Sequence, residues 1–178
     1  MRRRRSPTRA AALLFAACAG PLLAGGQQPP RDAGSDALGA GVHPFYRKAL
    51  QAAIDLARVK LRETACQDVL GDFVDRDGRP LFADLAATGA SAADFLSAIR
   101  FLDGRWTGPC ASGELYAWTH PGSRAVTLCL ERFAQLARTN PSAAANILIH
   151  EELHALGLGE DPPTSRVITS RVGLRCGK

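Results

Sequence analysis

Asn140-Pro141-Ser142-Ala143-Ala144-Ala145-Asn146-Ile147-Leu148-Ile149-His150-Glu151-Glu152-Leu153-His154-Ala155-Leu156-Gly157 is the stretch that decides how this chain reads. Asn140 is a natural N-cap and Pro141 suits the first helical position, where its missing N–H costs nothing. Ala145, Ile149, Leu153 and Leu156 recur at helical spacing and can face a core. Gly157 supplies the left-handed residue on which helices end. The stretch therefore predicts one helix of about four turns. His150 and His154 lie one turn apart on it, so both imidazoles project from one face and can hold one metal ion. Glu151, three residues before His154, brings a carboxylate near that face, where it can take a proton from water. The alternative is an amphipathic helix whose polar face happens to carry two His and two Glu.

Two imidazoles do not complete a catalytic zinc site, which uses three protein ligands and leaves a position open for water. Beyond His154 the chain contains no further His, and its only acidic residues are Glu160 and Asp161. Gly157 permits the sharp turn that brings residue 160 back beneath the metal. Glu160 is the expected third ligand, with Asp161 and His120 as competitors.

The run from His150 to Glu160 resembles the extended HExxHxxGxxH pattern of the metzincin group of zincin metallopeptidases, with Glu160 standing where the third His would be. The resemblance covers about a dozen residues. It departs from the pattern at that acidic residue and in lacking a Met-turn, since the sole Met is Met1. Acidic third ligands occur elsewhere among zincins, as in the aspzincins. A gluzincin would need a ligand Glu on a separate downstream helix, and no Glu follows Glu160. The resemblance implies one Zn2+ held by His150, His154 and Glu160, Glu151 as general base, and hydrolysis of a peptide bond in a peptide or protein substrate. It also implies an edge strand beside the active-site helix that aligns the substrate backbone.

Working outward, the segments around this helix read as an α+β, helix-rich, zincin-like single domain with a small antiparallel sheet. Leu50, Ile54, Ala57, Leu61 and Ala65 form a stripe that predicts a long scaffold helix from Pro44 to about Leu70. Short helices are expected over Leu81 to Thr88, over Ala92 to Leu102 with Ser91 as N-cap, over Arg132 to Arg138, and over Thr164 to Val172. Leu115 to Thr119 and Ala125 to Leu130 alternate and flank the turn His120-Pro121-Gly122-Ser123, which predicts a hairpin just before the zinc helix. Tyr116, His120 and Arg124 on that hairpin are candidate oxyanion donors; the alternatives are sheet packing, an exposed turn and a solvated strand start. Glu152 is read as pointing away from the imidazoles, towards solvent or behind the ligands. Asp75-Arg76-Asp77-Gly78 reads as a turn. As a calcium loop it would put Phe73 at the first ligand position and Asp84 at the twelfth.

At the other end, Met1-Arg2-Arg3-Arg4-Arg5 and Arg9 precede the apolar run from Ala10 to Ala24, the layout of a secretory signal over residues 1–26. Gly20 and Pro21 interrupt that run, which argues against a transmembrane span. Leu14-Phe15-Ala16-Ala17-Cys18 also resembles a lipobox, so a lipid anchor at Cys18 is the second possibility. Residues 27–42, rich in Gln, Pro, Gly, Ala and Asp, read as a flexible linker to a domain over 43–178. Residues 1–26 hold five of the 22 basic residues and no acids, leaving 17 bases against 17 acids. The formal charge of +5 is thus a targeting feature and gives no reason to expect nucleic-acid binding.

Four of the five Cys remain after the signal, an even number that suits two disulfides in an exported protein. Of three possible connectivities, the expected one is Cys110–Cys129 with Cys66–Cys176, the latter pinning the C-terminal tail to the first helix. No CxxC spacing supports a Cys-based zinc site. Besides an exported metallopeptidase, two readings stay open: a non-catalytic, zinc-stabilised binding module, and a disulfide-stapled surface lipoprotein.

Overall fold

In a computed structural model the described residues are 42–177. The signal segment, Cys18 and residues 27–41 of the expected linker lie outside them. Residues 42–177 form a mixed α+β domain in which helices dominate and three short strands make one sheet.

The long helix α7 (Pro141–Ala155) is the centre of the domain and begins as the sequence predicts. The Asn140 side chain accepts from the Ala143 N–H and Pro141 opens the helix. Its apolar residues Ala145, Leu148, Ile149 and Leu153 are buried. Around it pack α1 (Pro44–Leu61), α6 (Leu130–Thr139) and α8 (Ser165–Cys176). Leu50, Ile54, Ala57 and Leu61 of α1, Phe133 of α6, and Ile168 and Val172 of α8 fill the space between them. Each such buried Leu, Ile, Val or Phe side chain contributes about 1.5–3 kcal/mol of transfer free energy.

The first helix stops nine residues short of the expected end. After Leu61 the chain turns at Glu63, which is extended (φ −77°, ψ 127°), and restarts as the one-turn helix α2 (Thr64–Gln67) followed by a 3-10 turn over Asp68–Gly71. The break aims Cys66 at α8, where it forms a disulfide with Cys176 (Cα–Cα 4.5 Å). Arg175 adds a bidentate pair with Asp72, at 2.9 and 2.8 Å. Lys60, buried at the same junction, donates to Ser142 Oγ and to the Cys176 carbonyl. Helical spacing through Ala65 could not reveal that the chain must bend to meet its own tail.

Short helices α3 (Leu81–Ala87) and α4 (Ala92–Ser97) follow, the second capped by Ser91, whose hydroxyl accepts from the Asp94 N–H. The expected helix to Leu102 ends early, because Arg100–Asp103 is strand β1. It pairs in parallel with β3 (Ala125–Leu128), placing Phe101 opposite Val126, both fully buried. After the single turn α5 (Gly108–Ala111), strand β2 (Ala117–Trp118) pairs antiparallel with β3. The sheet order β1-β3-β2 is thus mixed, correcting the expected antiparallel sheet: a parallel partner 25 residues away leaves no mark on local alternation. Cys110 and Cys129 form the second expected disulfide (Cα–Cα 5.2 Å), tying α5 to the end of β3. Among the described residues, no helix is long and apolar enough to cross a membrane.

Candidate metal centre

The site is assembled by three connections at the end of α7. In the hairpin turn Gly122 has φ +81°, and its N–H donates to the His154 carbonyl at 2.8 Å, fastening β2 beside the last turn of the helix. Gly157 has φ +115°, a conformation closed to other residues, and its ideal Cβ position lies 3.2 Å from Asp75 Cβ. The chain reverses there, and the Leu158 N–H donates to the Leu153 carbonyl at 3.1 Å. That reversal carries Glu160 back to the imidazoles.

His154 Nε2 lies 3.1 Å from His150 Nε2 and 3.2 Å from Glu160 Oε1, and His150 Nε2 lies 3.6 Å from the same oxygen. Three donors bound tetrahedrally at about 2.0–2.1 Å from one ion must stand about 3.3 Å apart. The observed triangle meets that requirement. His154 Nδ1 lies 2.7 Å from the Leu158 carbonyl, which can only accept, so Nδ1 carries the proton and Nε2 presents its lone pair. His150 Nδ1 is 3.1 Å from Thr169 Oγ1 on α8, a partner that fixes this ring as well. Two imidazole nitrogens and a carboxylate oxygen thus converge on one point, where a cation could accept all three. His150, His154 and Glu160 could hold a metal ion. Asp161 and His120 contribute no atom to the group.

Burial sets the electrostatics. His150, 7% exposed, has its pKa lowered to about 4, first by desolvation and then by His154, with Glu160 opposing. Glu151, 5% exposed, is pushed up to about 8, chiefly by burial and further by Glu160. The Thr119 hydroxyl is near enough to temper that rise without reaching hydrogen-bond geometry. Glu152 is fully buried, correcting the expected solvent-facing position, and desolvation raises its pKa well above the carboxylate range. It turns into the core because it stands one turn from both Leu148 and Leu156, on the buried side of α7 opposite the imidazoles.

Beside this triangle opens a cleft of about 310 Å³, lined by Leu115, Trp118, Thr119 and Pro121 of the hairpin, Arg76 of the 75–78 turn, and Ser165 of α8. Glu151 shares this wall. Trp118 Nε1, Thr119 Oγ1 and Glu151 Oε2 are buried without partners here. Unpaired polar groups gathered in one cleft mark a binding surface better than scattered ones do.

Comparisons with family models, with curated proteins and with solved structures return no match.

The hairpin candidates for oxyanion donors are not in the cleft. Tyr116 lies under the Arg132 guanidinium (5.3 Å), Arg124 lies over Phe95 (4.9 Å), and exposed His120 meets the edge of Trp118. The 75–78 segment is a turn, as expected, and a cation already sits at its carboxylates: Arg79 pairs with Asp75 at 2.8 Å and with Asp84 at 3.2 Å. Sequence reasoning missed Thr169, Thr119, Ser165 and Arg76. Only Thr169 and Ser165 had a signal, as a polar i, i+4 pair on the helix expected to floor the site.

Proposed function

We propose that this chain is an exported, zinc-dependent metallopeptidase of zincin type. The observation that carries the proposal is the convergence of His150 Nε2, His154 Nε2 and Glu160 Oε1 in one ligand triangle beside the buried carboxyl of Glu151. Two imidazole nitrogens and one carboxylate oxygen are a donor set that suits zinc, and His150, His154 and Glu160 would hold it at the wall of the cleft.

When bound, zinc supplies Lewis acidity, lowering the pKa of water and polarising a carbonyl. The protein's own residues do the rest. The Leu158 carbonyl holds His154 in the ligating tautomer, and Thr169 orients the His150 ring and can accept from its Nδ1–H, the usual task of groups behind a metal site. Glu151 Oε2, buried and unpartnered, takes the proton released as the water oxygen bonds to the substrate carbonyl carbon. It then passes that proton to the amine nitrogen as the C–N bond breaks. A neighbouring dication favours the ionised carboxylate that this role needs, against the burial that otherwise raises its pKa.

A peptide substrate is supported by β2, whose side away from β3 pairs with no other described strand and borders the cleft. An extended peptide can add there as a further strand. Export is supported by the basic-then-apolar start of the sequence and is compatible with the two disulfides.

The test is Glu151→Gln. Zinc content should stay near one equivalent while peptide hydrolysis falls by about 10²–10⁴-fold. Unchanged hydrolysis would refute Glu151 as the base. Loss of hydrolysis together with loss of zinc would instead favour a binding module in which the metal only braces the fold.

A further inference from the structure

Resting on the metallopeptidase reading of the same cleft, we propose that Arg76 is its anion-recognising residue and that the preferred substrate presents a carboxylate to it. Arg76 and Glu160 line the same cleft, and the Arg76 side chain runs along Gly159, with Nε 3.6 Å and Cγ 3.7 Å from that residue's ideal Cβ position. It stands one residue from Glu160, yet the two make no ion pair. Among the described residues Arg76 has no hydrogen-bond or ion-pair partner at all, although three carboxylates lie in or near its own turn.

The reason is that Arg79 occupies them. Asp75 Oδ2 accepts from Arg79 Nε and Nη2, Asp75 Oδ1 accepts from the N–H groups of Asp77 and Arg79, and Asp77 and Asp84 both face the Arg79 guanidinium. These bonds, with Gly78 at φ +80° and Gly157 packed on Asp75, fix the backbone that carries Arg76. A guanidinium with five unused donors is therefore presented from a rigid turn to a cleft whose other ionisable walls are the metal ligands and Glu151. Ser165 brings the positive end of the twelve-residue helix α8 to the same wall. Planar, forked recognition of a carboxylate is the chemistry that suits such an arginine. The carboxylate can belong to a free C-terminus or to an Asp or Glu side chain of the substrate.

The experiment measures binding of three fluorescent alanine hexapeptides to the full chain: one with a free C-terminus, one amidated, and one amidated with a single internal Asp. Glu151→Gln protein is used with and without zinc, so that turnover does not interfere. At least one carboxylate peptide should bind about 10- to 100-fold more tightly than the neutral amide, with or without metal. Which of the two does so identifies the source of the carboxylate. Arg76→Gln, checked for native circular dichroism, should abolish the preference, and Arg76→Lys should retain part of it. Equal affinities, no detectable binding of any peptide, or a preference that survives Arg76→Gln would overturn the proposal. A preference that needs zinc and survives Arg76→Gln would mean the carboxylate sits on the metal. Failure of the metallopeptidase reading would show separately, as absent zinc or absent hydrolysis in the wild type.

Discussion

Glu152→Gln should stabilise this protein at neutral pH. Glu152 is fully buried on the inner face of α7, and neither of its carboxyl oxygens has a partner. Desolvation raises its folded-state pKa well above the ordinary 4.5, so the native state keeps a proton that the unfolded chain releases. For an acid shifted in this direction, stability falls as pH rises above the unfolded pKa, by about 1.4 kcal/mol per pH unit until the folded pKa is reached. At pH 4.5 the cost is therefore close to zero, and it grows with pH above that. Gln has the same shape and no proton to lose. Urea unfolding of wild type and variant from pH 4.5 to pH 8, with zinc saturating throughout, should show stabilities that nearly coincide in acid and diverge progressively in the variant's favour towards neutral pH. A variant equally or less stable at pH 7 would refute the reasoning and show that Glu152 is ionised and paired.

Thr169→Val removes the hydroxyl behind His150 and should weaken zinc binding by about 10- to 100-fold in competition with a chelating dye, with little change in fold. Gly157→Ala forces a side chain into φ +115° and against Asp75, so the urea midpoint should drop by the equivalent of about 1–3 kcal/mol, and zinc affinity should fall as Glu160 loses its placement. Replacing Cys66 and Cys176 together by Ser opens a loop with a sequence separation of 110 and should cost about 2–5 kcal/mol by the same assay. In chelator-treated protein Glu151 adds to the pH dependence: with its pKa raised to about 8, stability should fall further between pH 6.5 and pH 8, above the range in which His150 opposes it, than it does in the zinc-loaded form.

Much of the site was legible because its chemistry is local. An N-cap, an N1 proline, two His at i and i+4, and a glycine before an acidic residue lie within 21 consecutive positions, and short-range rules read such a segment well. What escaped depended on contacts distant in sequence. Phe101 sits in a strand because β3 offers it a parallel partner, and Glu63 breaks the first helix because Cys66 must reach Cys176. Glu152 is different: it stands one turn from both Leu148 and Leu156, on the apolar side of the helix, so its burial could have been read from spacing alone. Arg76 could not be singled out from sequence, since its freedom depends on Arg79 engaging the neighbouring carboxylates.

Anomalous diffraction at the zinc edge from crystals of the zinc-loaded full chain tests the account most directly. One strong peak is expected about 2.0–2.2 Å from His150 Nε2, His154 Nε2 and Glu160 Oε1, with the remaining position facing the cleft that Glu151 lines. A peak elsewhere, or none at saturating zinc with those three atoms still 3.1–3.6 Å apart, would contradict it.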